Sequence, residues 1–371
     1  MDDASLFITI GVFVLFVIMA LYYFMVKKAN DQGLILLIFG LIFLGASFTD
    51  LLDFVLPILF FVFFVSIFTQ YLRKRQMHQL LWSISLFMFF ITTFFQALAT
   101  ILGTWDPTML RTYYVFQSFQ VMLLGLGELF LLSKRNVITR NVNIAVILIS
   151  GLFWMIFGFV IGKTSPEAVM LIALPAMVVL LYGVLDIVFA LLKANKYQLT
   201  GYQYSNFALI FSIYTFILAV YYTFTIPFLS GSSLIATGGV EAVIKNVWGD
   251  SSTVRGFTPL FAVNGGMFIF LGSVYSYIIW QISIKKNQGK FSFGTGIFNI
   301  YFAIGVAIFT VGGSLAQNTG VAVLYISELL GGIFMYFGFL ESDKISMELI
   351  MDIVTLRFLH KHYEQSQMLS H

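Results

Sequence analysis

Residues 54–102 read FVLPILFFVFFVSIFTQYLRKRQMHQLLWSISLFMFFITTFFQALATIL. Two apolar runs, 54–72 and 80–102, flank the basic cluster Arg73, Lys74 and Arg75. Each run is roughly 20 residues long, the length of a helix that crosses the hydrocarbon core of a bilayer. Neither alternates apolar with polar residues as a barrel strand does. In lipid, only helices and closed barrels satisfy the backbone. The stretch therefore predicts a helical hairpin with its turn at a membrane surface.

The rest of the chain repeats this pattern. Of 371 residues, 60% are hydrophobic and only 10% charged, and the mean hydropathy is +0.94. A soluble domain carries about 25% charged residues. The expected fold is an all-α, polytopic membrane bundle of about eleven spans, residues 1–340 forming one transmembrane domain. The spans are 5–26, 34–49, 54–72, 80–102, 113–133, 142–162, 168–192, 207–229, 258–284, 295–314 and 321–340. The second is short, and its break from the third rests on Asp50 and Asp53. Ser5 to Val26 lacks a basic n-region and a small-residue cleavage site and follows Asp2 and Asp3, so it reads as a retained span. With no cysteine, disulfides, thiolate metal sites and cysteine nucleophiles are excluded. A net charge of +3 calls for no nucleic-acid partner.

Charge orients the spans. The odd-numbered connections hold Lys27, Lys28, Arg73, Lys74, Arg75, Lys134, Arg135, Arg140, Lys193, Lys196, Lys285, Lys286 and Lys290. The even-numbered ones hold only Arg111, Lys163, Lys245 and Arg255. Positive charge collects on the cytoplasmic side, so the N-terminus is expected outside and the C-terminus in the cytoplasm, in a multi-pass cell-membrane protein. Tyr22, Tyr23, Tyr71, Trp82 and Trp280 then fall at inner ends of spans, and Trp105, Tyr113 and Tyr114 at the outer edge, where aromatic belts form.

The long outer connection 231–257 is rich in Gly, Ser and Thr and carries an amphipathic segment from Gly239 to Trp248. It reads as a surface loop or as a lid. The cytoplasmic tail 341–371 spaces Ile345, Leu349, Ile353 and Leu356 as an interfacial helix would. Its His360 and His362 diverge on a helix and make no metal pair. A parallel repeat relates 54–133 to 258–340. Ala97-Leu98-Ala99-Thr100, Gly103 and Tyr114 correspond to Ser314-Leu315-Ala316-Gln317, Gly320 and Tyr325.

Those regions carry a resemblance. Arg73 through Leu132, with Trp82, Gly103, Trp105, Arg111-Thr112-Tyr113-Tyr114 and Gly125-Leu126-Gly127, resembles an uncharacterised family of prokaryotic multi-spanning membrane proteins. So does Asn264 through Phe339, with Gly312-Gly313-Ser314-Leu315-Ala316 and Glu328-Leu329-Leu330-Gly331. The resemblance covers about half the chain, with spans one, two, seven and eight as additions, and implies no activity.

Ionisable groups at membrane depth are costly and mark function by default. Glu128 and Asp186 lie one to two turns from the inner ends of their spans, within snorkelling reach of Lys134 or Arg135 and of Lys193. Glu328 lies two turns in from the outer end of span eleven, beside Ser327, Gly331 and Gly332. Its carboxyl group is expected to face the bundle, near Arg111, Gln117, Gln96 or Asn264 at similar depth. Either it pairs there as a structural clasp or it stays protonated. Pro57, Pro175 and Pro227 sit inside spans and are expected to kink them. Gly265-Gly266, Gly312-Gly313 and Gly331-Gly332 read as close-packing sites.

No histidine lies within a span, so intramembrane haem, copper or zinc is not expected and no cofactor is assigned. Walker, H-E-x-x-H and G-x-S-x-G motifs are absent, and the acids are scattered, so an enzyme is the last choice. The leading reading is a carrier or channel-like transporter, proton-coupled through Glu328 with Glu128 or Asp186. The alternative is a non-catalytic scaffold or accessory subunit of a larger membrane complex, partnered by other membrane subunits as well as lipid. A membrane sensor ranks third.

Overall fold

A computed structural model describes residues 52–134, 148–156, 166–194, 199–235, 240–249, 253–288, 299–309 and 321–342, with single positions between 13 and 40 and at 145. The helices are α1 (Leu52–Lys74), α2 (Met77–Leu102), α3 (Pro107–Lys134), α4 (148–156), α5 (Pro166–Leu191), α6 (Gly201–Thr225), α7 (Val240–Trp248), α8 (Thr253–Gln288), α9 (Asn299–Phe309) and α10 (Val321–Ser342). Among the described residues α1, α2, α3, α5, α6 and α8 are long and apolar enough to cross a membrane. The chain is an all-α integral membrane protein. The tail beyond Ser342, Gly312-Gly313, residues 314–320, Tyr22, Tyr23 and the Trp280 side chain lie outside the described residues.

Helix ends follow local chemistry. Asp106 Oδ1 accepts from the backbone N–H of Thr108 (2.8 Å) and Met109 (3.0 Å), starting α3 at Pro107. This is an N-cap with proline at the first helical position, and it brings Arg111 inside the helix. Thr200 and Gln203 form a reciprocal capping box, so α6 starts at Gly201 and not at 207. Gly103, at φ 67°, ends α2 in a left-handed turn. Pro57 and Pro175 do lie inside helices. Pro227 does not: α6 stops at Thr225, and Ile226 is extended at φ −71°, ψ 122°. A residue before proline is pushed out of the helical region, which the apolar run 207–229 concealed.

Neighbouring helices form antiparallel hairpins. Phe60 stacks on Phe89 at 4.9 Å and Phe64 meets Phe87 at 5.2 Å across α1 and α2. Ser85 Oγ donates to the Gln120 carbonyl (2.6 Å) and Gln96 Nε2 to Tyr113 Oη (3.1 Å) across α2 and α3. Asp186 meets Tyr204, and Leu171 meets Tyr214, across α5 and α6. Tyr301 faces Phe334, and Phe309 crowds Gly331, across α9 and α10.

Three further pairs run parallel. Along α3 and α8, Tyr114 meets Val254, Gly125 meets Gly265 and Glu128 meets Gly272. Along α1 and α10, Phe60 meets Gly332 and Phe63 meets Tyr336. Along α2 and α9, Trp82 meets Phe302 at 5.8 Å and Phe89 meets Phe309 at 5.2 Å. Among the described helices, the backbones of α3 and α8 approach one another most closely. A Cβ at Gly265 would stand 2.4 Å from the Val121 carbonyl oxygen, and one at Gly125 would stand 2.5 Å from that of Gly265. Only glycine allows two helix backbones to approach so closely.

Aromatic belts account for part of the placement only. Trp82 is buried in the core, its indole N–H donating to the Leu124 carbonyl at 3.1 Å. Trp105, Tyr113 and Tyr114 are buried as well. They lie under α7, which falls within the amphipathic segment from Gly239 to Trp248. Its Val240, Val243, Ile244, Val247 and Trp248 pack on Ala99, Met109 and Leu110. The Leu234 carbonyl accepts from Trp105 N (2.8 Å) and Thr104 Oγ1 (3.1 Å), fastening the connection to the α2–α3 turn.

Candidate functional site

The polar residues of the membrane interior fall into separate groups. Near the start of α3, Arg111 Nη1 donates to the carbonyls of Thr223 and Ile226, the latter at 3.1 Å. Its guanidinium lies 4.2 Å from the Phe228 ring centroid and 6.0 Å from that of Trp248. A cation on the last carbonyls of α6 complements the negative end of the helix dipole, and the aromatic faces add cation–π attraction. Gln96 is spent on Tyr113. Asn264 Nδ2 donates to the Leu260 carbonyl (2.7 Å), and its Oδ1 accepts from Ser150 Oγ (3.1 Å). Gln117 is half-buried, whereas the fully buried Gln120 accepts from Thr92 Oγ1 at 3.3 Å. No described hydrogen bond of Arg111, Gln96 or Asn264 reaches Glu328. Glu328 is 7% exposed on α10, between the buried Ser327 and Leu329.

Arg111 thus locks the start of α3 and the α7 region to the end of α6. Hydrogen bonds to a charged group contribute about 1.5–3 kcal/mol when buried, less where water reaches. Arg111→Met is expected to cost about 1–2 kcal/mol and to expose residues 229–235 to limited proteolysis. Cleavage at the wild-type rate would argue against the lock.

Glu128 and Asp186 are drawn into the bundle. Glu128 is 2% exposed, and its Cγ would stand 2.7 Å from a Cβ at Gly272. Asp186 is 1% exposed, and its Oδ2 accepts from Tyr204 Oη at 2.7 Å. Neither side chain snorkels to the surface.

Tyr204 also lines a partly open cavity of about 40 Å³ between α3, α4, α5, α6 and α8. Met122 and Leu129 of α3, Trp154 of α4, Val179 of α5 and Phe268 of α8 form its apolar walls. The α6 wall runs from Gly201 to Ser212, about 16 Å at 1.5 Å per residue. It therefore reaches from the N-terminal end of α6, next to the basic α5–α6 connection, to about the middle of that helix. Four hydroxyl residues, Ser150, Tyr204, Ser205 and Ser212, line it. Two of them connect it to residues singled out in the sequence: Tyr204 to Asp186, and Ser150 to Asn264. Ser205 Oγ lies 2.6 Å from Ser133 Oγ at the inner end. None of the hydroxyl residues stood out in the sequence, because a lone Ser or Tyr in an apolar run carries no positional signal. Among the described residues no group of His, Asp or Glu is arranged to hold a metal ion.

The geometry defines an integral membrane protein with a small, mostly apolar internal cavity backed by a carboxylate and a carboxamide. Compared with protein-family models, curated proteins and solved structures, the chain matches none.

Proposed function

We propose that the chain is an eleven-span carrier for a small solute, with the cavity as its substrate site. The observation that carries this reading is the cavity's course, from one end of α6 to the level of Asn264, with Asp186 behind Tyr204. An apolar pocket with a few convergent polar groups is the default binding site of a protein, and intramembrane acids mark solute or proton paths. Of Glu128, Asp186 and Glu328, Asp186 is the acid joined to the lining, which makes it the first candidate for coupling to protons. The resemblance to an uncharacterised family assigns no activity, so the reading rests on geometry.

The helix directions support the span count. Parallel packing of α3 on α8 requires an odd number of crossings between them, and α4, α5 and α6 supply three. Parallel packing of α1 on α10 and of α2 on α9 agrees with the same alternation. Near the N-terminus, Gly33 crowds Phe24 and Gly40 crowds Phe16, the pattern of one more antiparallel hairpin. The three parallel pairs also support the repeat. The first helix of each triplet packs on the third of the other, and the second on the second. A two-fold axis along the membrane normal has this consequence, and such parallel repeats occur in transporters.

Topology is tested in the cysteine-free chain. Single cysteines at Gln76, Asn136, Asn195 and Asn287 are expected to react with an impermeant label only from the cytoplasm, and those at Thr104, Ser165 and Ser251 only from outside. One swapped site overturns the count on that side of the chain. The carrier reading is tested by solute uptake into proteoliposomes of the purified chain. A constant set of co-purifying proteins, with no uptake, would favour the accessory-subunit reading instead.

A further inference from the structure

We propose that the cavity selects a small hydrogen-bond-donating cation of the ammonium class. The proposal rests on the carrier reading for its role as substrate site, though not for binding itself. It follows from where the hydroxyl protons go. Tyr204 Oη donates to Asp186 Oδ2, and Ser150 Oγ to Asn264 Oδ1. Ser212 Oγ donates to the Ala208 carbonyl at 2.6 Å and Ser205 Oγ to the Gly201 carbonyl at 3.2 Å. A hydroxyl has one proton and two lone pairs. With acceptors for these protons in the walls, and Ser133 Oγ a further wall contact of Ser205 at 2.6 Å, the hydroxyls are left to act toward the cavity as acceptors.

Charge and shape point the same way. Among the described residues of the lining there is no lysine, arginine or histidine, so those walls offer an anion no counter-charge. The Asp186 carboxylate lies one hydrogen bond behind the lining. Trp154 and Phe211, edge to face at 4.5 Å, put aromatic surface on the wall, and aromatic faces attract desolvated cations. The volume of about 40 Å³ is well under the roughly 150 Å³ that holds benzene, which favours an occupant of a few heavy atoms. The remaining side-chain donor of the lining is the Trp154 indole N–H, and it supplies a discriminating test.

The full chain in lipid nanodiscs is titrated with methylammonium chloride, and its Tm is followed against equal concentrations of sodium chloride and sodium acetate. A saturable rise in Tm is expected with methylammonium alone, because a ligand that binds only the folded state stabilises it. Asp186→Asn is expected to raise the half-saturating concentration at least tenfold, and Ser212→Ala several-fold should the first variant fold poorly. Ala208→Leu, which fills the cavity, abolishes the rise. Trp154→Phe keeps an aromatic face and leaves the response largely intact. Its loss in Trp154→Phe would show an acceptor ligand held by the indole and overturn the proposal. An equal rise with sodium chloride or acetate, or a rise that survives Ala208→Leu, also overturns it. Methylammonium binding without uptake in proteoliposomes removes the carrier reading and leaves the site. Uptake of another solute with no methylammonium response keeps the carrier and removes this substrate class.

Discussion

Gly265→Leu is expected to abolish recovery of the folded protein from the membrane. At this crossing even a Cβ would stand 2.4 Å from the Val121 carbonyl oxygen, 2.5 Å from its carbon and 2.6 Å from the Met122 Cα. Those are backbone atoms of α3 that no rotamer change can move. Overpacking a core costs about 1–3 kcal/mol where side chains give way, and here two helices must separate. The seam also carries the Tyr114–Val254 and Ser118–Thr258 hydrogen bonds, at 3.1 and 2.9 Å, so its opening loses those as well. Against a total stability of about 5–15 kcal/mol, the loss is decisive. Gly265→Ala is expected to fold with a markedly lower Tm. A Gly265→Leu chain that elutes and melts like wild type would show that the α3–α8 contact is not made.

Phe89→Ala is expected to cost about 3–5 kcal/mol, the range for emptying a buried aromatic site. Phe89 is 2% exposed, stacks on Phe60 at 4.9 Å and meets Phe309 at 5.2 Å. It is therefore the point at which α1, α2 and α9 interlock. Between helices in lipid, association rests on packing more than on water exclusion, so a lost ring leaves lost contacts with little compensation. Phe94, on the same helix and 45% exposed, is the control: Phe94→Ala is expected to change Tm little. In a double-mutant cycle, Phe89→Ala and Phe309→Ala are expected to be non-additive, as for residues in contact. Additive losses would dissociate α2 from α9 and remove the support for a two-fold repeat.

Boundaries were legible where a cap marks them and was read as one. The Asp106–Pro107 start of α3 and the Thr200–Gln203 box of α6 are plain motifs, yet an apolar run dominates a span count and places both starts six residues late. The 239–248 segment was legible because its apolar residues recur at helical spacing. Glu128 and Asp186 were recognised as acids at depth, but their partners were expected at the nearest lysine along the chain. Burial drew Asp186 instead to Tyr204, a residue of the next helix.

The sequence by itself determined the solvent, the secondary structure and the charge alternation of this protein. Those depend on composition and on the length of apolar runs, and each is written locally in the chain. The tertiary structure alone decided that α3 lies parallel on α8 with two glycine backbones in contact. It alone set Arg111 on the last carbonyls of α6. It also brought four hydroxyl residues of separate positions to the lining of one cavity. The physical reason is rotational. A uniformly apolar helix has almost no amphipathic signal to fix which side faces which neighbour, so its rotation is settled only when close packing and hydrogen bonding with the other helices are satisfied together.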